Sequence, residues 1–466
     1  MKGKFLQSVL LVLMKLTADQ IAEATNGKIL RKHQDAFESF SIDSRKMIEG
    51  GLFFAMKGEN TDGHLFLQDA FRNGAGGALL ENETTQVARA EKTLILVQNS
   101  MKAIQDLAAF VRNQSASKYI GITGSSGKTS TKEFTASLLS QHHDVYKSEG
   151  NLNSLTGLPL SLLGMEQKEC AVFEVAMNRP GEIGRLSEVL KPDIGVILNV
   201  NPVHALQFPS IEAIADEKAS LVKGMKDESM LIYNADDSLL DERLNQRQRK
   251  YTYGCSRKVD LRITDIRMRG VRGGHAVLRS DGRQIFVETA LCGIGNLYNI
   301  AAAASVALQL HLSVDEIAQG ISTLKPYPQR GILIEKNGIH VYDDTYNSNP
   351  RALEMVLNLV GDSTGYARKI AVLGDMLELG EGEEQFHASA GDQVATNEFT
   401  ILIAVGPLSK FMAETALSKG VEVYTLENSD EAADKVAEVA KEGDLVLVKG
   451  SRGMQMEKVV QRLEAL

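Results

Sequence analysis

Apolar positions recur along the chain in three styles, and the change from one to the next marks its organisation. From Leu16 to about Asn99, short apolar runs such as GLFFAM (51–56) and GALLE (77–81) flank HLFLQDAFRNG (64–74), a segment of helical period. That mixture predicts a small mixed α/β domain. Thr17 stands ahead of a short amphipathic stretch where a helix cap belongs. MKAIQDLAAFVRNQ then carries a helical pattern into the second style. Here the apolar runs YIGIT (119–123), AVFEV (171–175) and IGVILNV (194–200) alternate with helices, beginning with TSTKEFTASLLSQ (129–141). Such alternation predicts a parallel sheet covered by helices. Between about Val259 and Leu291 the period drops to two around Gly-rich turns, which predicts an antiparallel appendage. The Ala-rich helix NLYNIAAAASVALQL (296–310) closes this region.

The third style follows KPYPQRG (325–331), whose two prolines can neither continue a helix nor serve a central strand. Four apolar strands, KIAVLG (369–374), TILIAVG (400–406), VEVYTL (421–426) and DLVLVKG (444–450), each lead into a helix-like segment. This beat predicts a doubly wound, Rossmann-like fold. Ligands of such sheets bind beyond the carboxyl ends of the strands, so GDMLELG (374–380) and GSRG (450–453) lie where chemistry is expected.

A length of 466 residues fits about three domains. The boundaries read as 1–98, 99–326 and 327–466. Lys and Arg total 51 against 60 Asp and Glu, a net charge of -9, which excludes the general electrostatics of a nucleic-acid or anionic-membrane binder. Any phosphate needs a local pocket. Three scattered cysteines (Cys170, Cys255, Cys292) make no disulfide framework or Cys-rich metal site, so a reducing, cytoplasmic setting fits. The apolar run Phe5–Leu13 is too short to span a membrane. MKLTADQIAEATNG reads as a native start at Met14, which leaves the first thirteen residues as an extension.

The strongest local signal is GITGSSGKTS, Gly121 to Ser130, between an apolar strand and a helix. In a phosphate-binding loop, glycines let backbone N–H groups turn around phosphate oxygens, lysine adds a point charge, and the next hydroxyl binds Mg²⁺. Ile122 departs from the strict pattern, yet Gly124, Gly127, Lys128 and Thr129 satisfy the shorter one. A glycine turn that merely caps a helix is the competing reading. Lys128 is assigned to the β- and γ-phosphates and Thr129 to the metal. Glu174, an acid ending an apolar strand, suits Mg²⁺ or an ion pair. His204 occupies the corresponding place one strand on, as a ligand or as a structural histidine.

TGSSGKTS, EVAMN, NVNPVH followed by EKASL, and YDDTYNSNP with LGDMLELG together resemble the Mur ligases, ATP-dependent amide-forming enzymes of peptidoglycan precursor synthesis. Within that family SIDSRK (41–46), MKGENTDGH (56–64), DDTYNSNP (343–350) and GDMLELG (374–380) look like the branch that adds D-alanyl-D-alanine to UDP-N-acetylmuramoyl-tripeptide. The resemblance runs from about Met14 to the C-terminus. It implies an ATP loop of Gly124, Ser125, Ser126, Gly127, Lys128, Thr129 and Ser130. It also implies Mg²⁺ ligation by Thr129, Glu174 and His204, and a carbamylated Lys218 able to hold a second ion; Lys128, Lys218, Glu174 and His204 would then carry the catalysis. Asn299 resembles the family's adenine-side asparagine, with Tyr298 where relatives often place His. Arg330 and Asp344 match an arginine and an aspartate of the third domain that reach the nucleotide. Ser44, Arg45 and Lys57 look like the seat of the UDP-sugar, and Asn347 and Asn349 like residues that hold the dipeptide. A cytoplasmic monomer with no nucleic-acid or membrane partner is implied. Another Mur-type ligase, a folylpolyglutamate-type ligase and a nucleotide switch without ligase activity are the rival readings.

Overall fold

A computed structural model describes residues 15–58, 61–82, 91–201 and 207–466, so the first thirteen residues, expected to be an extension, lie outside the described residues. The chain forms two compact units. One runs to Lys128 and resumes over Leu139–Thr252; the other comprises Thr129–Leu138 and Tyr253–Leu466.

In the first unit Thr17 caps the helix Ala18–Ala24 through a reciprocal pair of bonds. Its hydroxyl accepts from the Gln20 N–H at 3.1 Å, and the Gln20 side chain accepts from the Thr17 N–H at 2.9 Å. A five-stranded sheet follows, in the order Lys28–Arg31, Thr93–Leu96, Gly77–Leu80, Leu52–Phe54, Phe40–Ser41. Only its first pair is antiparallel. HLFLQDAFRNG is not one helix: a 3-10 turn over Gly63–Phe66, capped by Asp62, leads into the short helix Leu67–Arg72.

The helix Ser100–Gln114 starts where the Asn99 side chain accepts from the Lys102 N–H at 2.7 Å. Its buried residues Ala103, Ile104, Leu107, Ala108 and Val111 fall at helical spacing on one face. They join Leu52, Phe54 and Ile95 of the first sheet to Tyr119 and Phe173 of the next in one continuous core. In that next sheet the strands Met230–Asn234, Ile194–Ile197, Lys118–Thr123, Cys170–Glu174 and Val145–Lys147 lie side by side in this order and pair in parallel. The strand expected over 194–200 stops at Ile197 because Leu198 to Asn201 turn to bond the loop after the neighbouring strand.

In the second unit Leu261–Met268, Gly274–Ser280 and Arg283–Thr289 form the expected antiparallel ladder. Asp281 and Gly282, at φ 45° and 76°, make its two-residue hairpin turn. The helix Ile294–Gln309 is buried along most of its length, as its alanines require for close packing. The last sheet has the order Ile332–Lys336, Ile339–Asp344, Leu445–Lys449, Lys369–Gly374, Ile401–Val405, Glu422–Leu426. Every pair in it but the first is parallel. Alternate residues of its strands feed separate cores, Ala371, Leu373 and Leu447 on one face and Ile370, Val372 and Val448 on the other. Burial of both faces explains the unbroken apolar runs. The architecture is α/β with parallel-rich sheets, as the strand order in the sequence implied. No described helix is long and apolar enough to cross a membrane.

Candidate active site

The glycine-rich loop lies between the strand Lys118–Thr123 and the helix Lys128–Leu139, the setting the motif requires. Its shape is fixed from the side. The Ser125 N–H donates to the Asn199 carbonyl at 3.0 Å, and the Ser126 N–H donates to Asn199 Oδ1 at 2.9 Å. The Ser125 hydroxyl accepts from the Asn201 N–H at 2.8 Å. A Cβ on Gly124 would lie 2.8 Å from Leu198 Cβ, so only glycine fits at that approach. Gly127 takes φ 81°, the left-handed region, to turn the chain into the helix. The Lys128 ammonium donates to the carbonyls of Gly124 at 2.9 Å and Ser125 at 3.4 Å, which holds its charge over the loop. Thr129 is buried in the first turn of the helix, followed by Ser130.

Glu174 ends the strand Cys170–Glu174 in register with Ile122 of the loop's own strand, 4% exposed. Asn153 Nδ2 donates to its carboxylate at 2.9 Å. Lys218, in the helix Ile211–Ala219, is 2% exposed. Burial first, and then the charge of Lys128, hold its amine well below the ordinary lysine range against the pull of Glu217. Glu217 is otherwise engaged: its two oxygens accept from the N–H groups of Gly181 at 2.7 Å and Ile183 at 2.8 Å, at the start of the helix Glu182–Leu190. His204 lies outside the described residues.

The second unit gathers another group at the carboxyl end of its parallel sheet. Asp344 and Lys449 face one another across paired strands, with the ammonium 2.5 Å from Asp344 Oδ2. Asn347 Oδ1 accepts from the Arg452 N–H at 3.3 Å. The Arg330 guanidinium stacks 3.9 Å from the Tyr346 ring centre. Asn349 caps the helix Pro350–Gly361 by accepting from the Ala352 N–H at 2.9 Å, so its side chain is committed to the backbone. Asp375 of GDMLELG is equally committed, accepting from the Ser409 N–H and hydroxyl, both at 2.7 Å. Asn299 is buried in its helix beside Asn296, at 3.4 Å. The neighbouring Tyr298 hydroxyl donates to Cys255 Sγ at 3.2 Å.

In the N-terminal region Arg45 is exposed and forms a fork on Asp43, with both bonds at 2.9 Å. That guanidinium holds the Asp43 carboxyl down at about 2. Ser44 is buried beside it, and its carbonyl accepts from Asn73 Nδ2 at 2.8 Å. Lys57 pairs through its backbone with Asp62 in the turn that ends at His64. His64 Nε2 accepts from the Glu81 N–H at 2.9 Å, so Nδ1 carries the proton donated to Asp62.

Sequence reasoning passed over Asn199, Asn201, Glu217 and Lys449. NVNP carried a usable signal, since two asparagines immediately after a buried strand are costly there unless they bond a neighbouring loop. Lys449 had a weaker one, a lone charge at the end of the apolar run LVLV.

Three family models match in chain order: Mur ligase family, catalytic domain over 37–112; Mur ligase middle domain over 122–307; and Mur ligase, glutamate ligase domain over 329–452. A Bacillus subtilis (strain 168) protein named UDP-N-acetylmuramoyl-tripeptide--D-alanyl-D-alanine ligase is 33% identical, across 97% of this chain and 99% of its own. The Escherichia coli (strain K12) protein of the same name is 30% identical with the same coverage. A crystal structure of MurF from Acinetobacter baumannii superposes with a TM-score of 0.87 at 28% identity, covering 97% of this chain and all of that one. MurF ligase from Thermotoga maritima, solved in complex with ADP, gives 0.80 at 31% identity, covering 92% and 97%. The chain belongs to the Mur ligase family.

Proposed function

We propose that this chain joins D-alanyl-D-alanine to UDP-N-acetylmuramoyl-tripeptide at the expense of ATP, as a cytoplasmic monomer of three domains, 1–98, 99–326 and 327–466. The observation that carries the reading is the loop Gly124–Lys128, clamped by Asn199 with its lysine charge held over the backbone. Relatives that bear the corresponding name align with nearly the whole chain.

A carboxylate is a poor acceptor for an amine in water. One oxygen of the tripeptide's terminal carboxylate attacks the γ-phosphorus of ATP, the bond to ADP breaks, and an acyl phosphate results. The dipeptide amine then attacks the acyl carbon, loses a proton and expels phosphate. The first step depends on alignment and charge neutralisation more than on covalent help from the protein. Lys128 supplies charge at the β- and γ-phosphates. Arg330 and Asp344 serve the nucleotide from the C-terminal sheet, and Asn299 the adenine.

The donor chemistry suits Mg²⁺: the Thr129 hydroxyl and the buried Glu174 carboxylate are hard oxygen ligands, and the His204 imidazole would add a nitrogen donor. When bound, the ion neutralises phosphate charge. Lys218 fits a carbamate, because burial and the charge of Lys128 lower its amine well below the ordinary lysine range and so favour the neutral, nucleophilic form. The nitrogen of the neutral amine attacks CO₂ and loses a proton, which leaves an anionic carbamate able to hold a second Mg²⁺. Ser44, Arg45 and Lys57 hold the UDP-sugar, and Asn347 orients the dipeptide. Asn349 contributes through the helix it caps.

A competition assay tests the reading. The enzyme is offered Mg·ATP and UDP-muramoyl-tripeptide with D-alanyl-D-alanine, single amino acids or glutamate. The reading requires pentapeptide product with the dipeptide alone; product with glutamate or a single amino acid would assign the chain to a different ligase branch.

A further inference from the structure

Lys449 is a lysine buried to 3% exposure at the end of a strand whose four preceding residues are apolar and buried. A charged amine stays in such a place only when its donors are satisfied. Here all three are. The ammonium reaches Asp344 Oδ2 at 2.5 Å, the Asn347 carbonyl at 2.8 Å and the Asp344 carbonyl at 3.4 Å. One side chain thus ties down both ends of the turn from Asp344 to Asn347. The register of the parallel pair, Asp344 opposite Lys449, puts the two groups side by side at the sheet's carboxyl edge.

The turn is held from its other side as well. Tyr346 donates its N–H to the Gln329 carbonyl at 3.1 Å and lies under the Arg330 guanidinium. Arg452 donates its N–H to Asn347 Oδ1 and a guanidinium proton to Gln329 Oε1, at 3.3 and 2.9 Å. Lys449 is the member of this network that touches both Asp344 and Asn347. Those two residues carry different substrates in the functional reading above, on which this inference rests: the nucleotide at Asp344 and the dipeptide at Asn347.

We propose that Lys449 is a positioning residue that couples the nucleotide-binding Asp344 to the dipeptide-binding Asn347. It orients the carboxylate by direct pairing and the asparagine through its carbonyl, so displacement of the ammonium disturbs both substrates together. A purely structural ion pair would instead lower stability and leave the Michaelis constants alone.

The test is a set of Michaelis constants for the full-length enzyme and its variants Lys449→Met, Asp344→Asn and Asn347→Ala. The proposal requires Lys449→Met to raise KM for ATP and for D-alanyl-D-alanine by about tenfold or more each, with KM for the UDP-tripeptide changed by less than about twofold. Asp344→Asn should move mainly the ATP constant and Asn347→Ala mainly the dipeptide constant. If Lys449→Met alone does not fold, the pair Lys449→Met with Asp344→Asn leaves no buried unpaired charge and takes its place. Its dipeptide KM must then exceed that of Asp344→Asn by about fivefold or more. Unchanged constants in a folded Lys449→Met enzyme, or a double variant equal to Asp344→Asn, overturn the proposal while wild-type ligation continues. A wild-type chain that makes no pentapeptide overturns the functional reading instead, and this inference with it.

Discussion

Lys218 is buried within the field of Lys128, while the carboxylate next to it in sequence, Glu217, is bonded to the N–H groups of Gly181 and Ile183. The folded chain therefore holds the Lys218 amine well below its ordinary value of 10.5, and the unfolded chain does not. Between those two values the unfolded state binds a proton that the native state lacks, so stability rises with pH across that interval. In CO₂-free buffer, Lys218→Met should flatten the rise by up to about 1.4 kcal/mol per pH unit. Melting temperatures followed from about pH 7 to 10 read this directly, and parallel curves for the two proteins would contradict it.

Gly124 predicts a sharper, local effect. A Cβ there must displace Leu198, which leads into the segment whose Asn199 holds Ser125 and Ser126. Gly124→Ala should weaken ATP binding by about tenfold or more at a cost of about 1–3 kcal/mol in stability. Calorimetric titration with a non-hydrolysable ATP analogue provides the check; unchanged affinity would remove the loop's shape from the argument.

Asp375 offers a contrast, because the residue directly follows the carboxyl end of the strand Lys369–Gly374, where chemistry was expected, yet its own bonds are structural. It is 1% exposed and accepts from Leu408 and Ser409, the latter at the start of the helix Ser409–Ser418. Asp375→Ala should cost about 3 kcal/mol by leaving those buried donors unpaired. Denaturant unfolding measures the loss, and a change under about 1 kcal/mol would show that water replaces the carboxylate.

The antiparallel ladder is seated in the C-terminal core within the second unit. Val271 and Cys292 lie among Leu353, Leu357 and Val360, and the Val271 N–H donates to Ser363 Oγ at 3.0 Å. Gly270 sits at φ 58°, where a Cβ would come within 2.2 Å of that hydroxyl. Gly270→Ala should destabilise by about 2 kcal/mol or more, and Ser363→Gly beside it should recover part of the loss. Strict additivity in the double variant would deny the contact.

Much of this was legible from residue order, for reasons visible in particular segments. The parallel sheets announced themselves because both of their faces are buried, so KIAVLG and DLVLVKG are almost wholly apolar. The phosphate loop was legible because backbone geometry restricts Gly124 and Gly127. The hairpin Ile332–Asp344 escaped notice although Asn337 and Gly338 form its turn, at φ 49° and 75°. That dipeptide is a strong hairpin signal, and the proline-rich boundary just before it drew the reading away. The partners of Lys218, Lys449 and Asp375 were illegible for a different reason. Glu217 and Asp375 satisfy backbone N–H groups, and Lys449 meets an aspartate 105 residues away; neither arrangement leaves a local pattern.

Transfer of the tripeptide's carboxylate oxygen to phosphate is the most direct consequence of activation at the loop ending in Lys128. UDP-muramoyl-tripeptide labelled with ¹⁸O in its terminal carboxylate is turned over with ATP and D-alanyl-D-alanine, and the released phosphate is weighed by mass spectrometry. One ¹⁸O per phosphate is expected, in step with pentapeptide formation and lost together with turnover in Lys128→Ala. Unlabelled phosphate released alongside normal product would contradict the acyl-phosphate route.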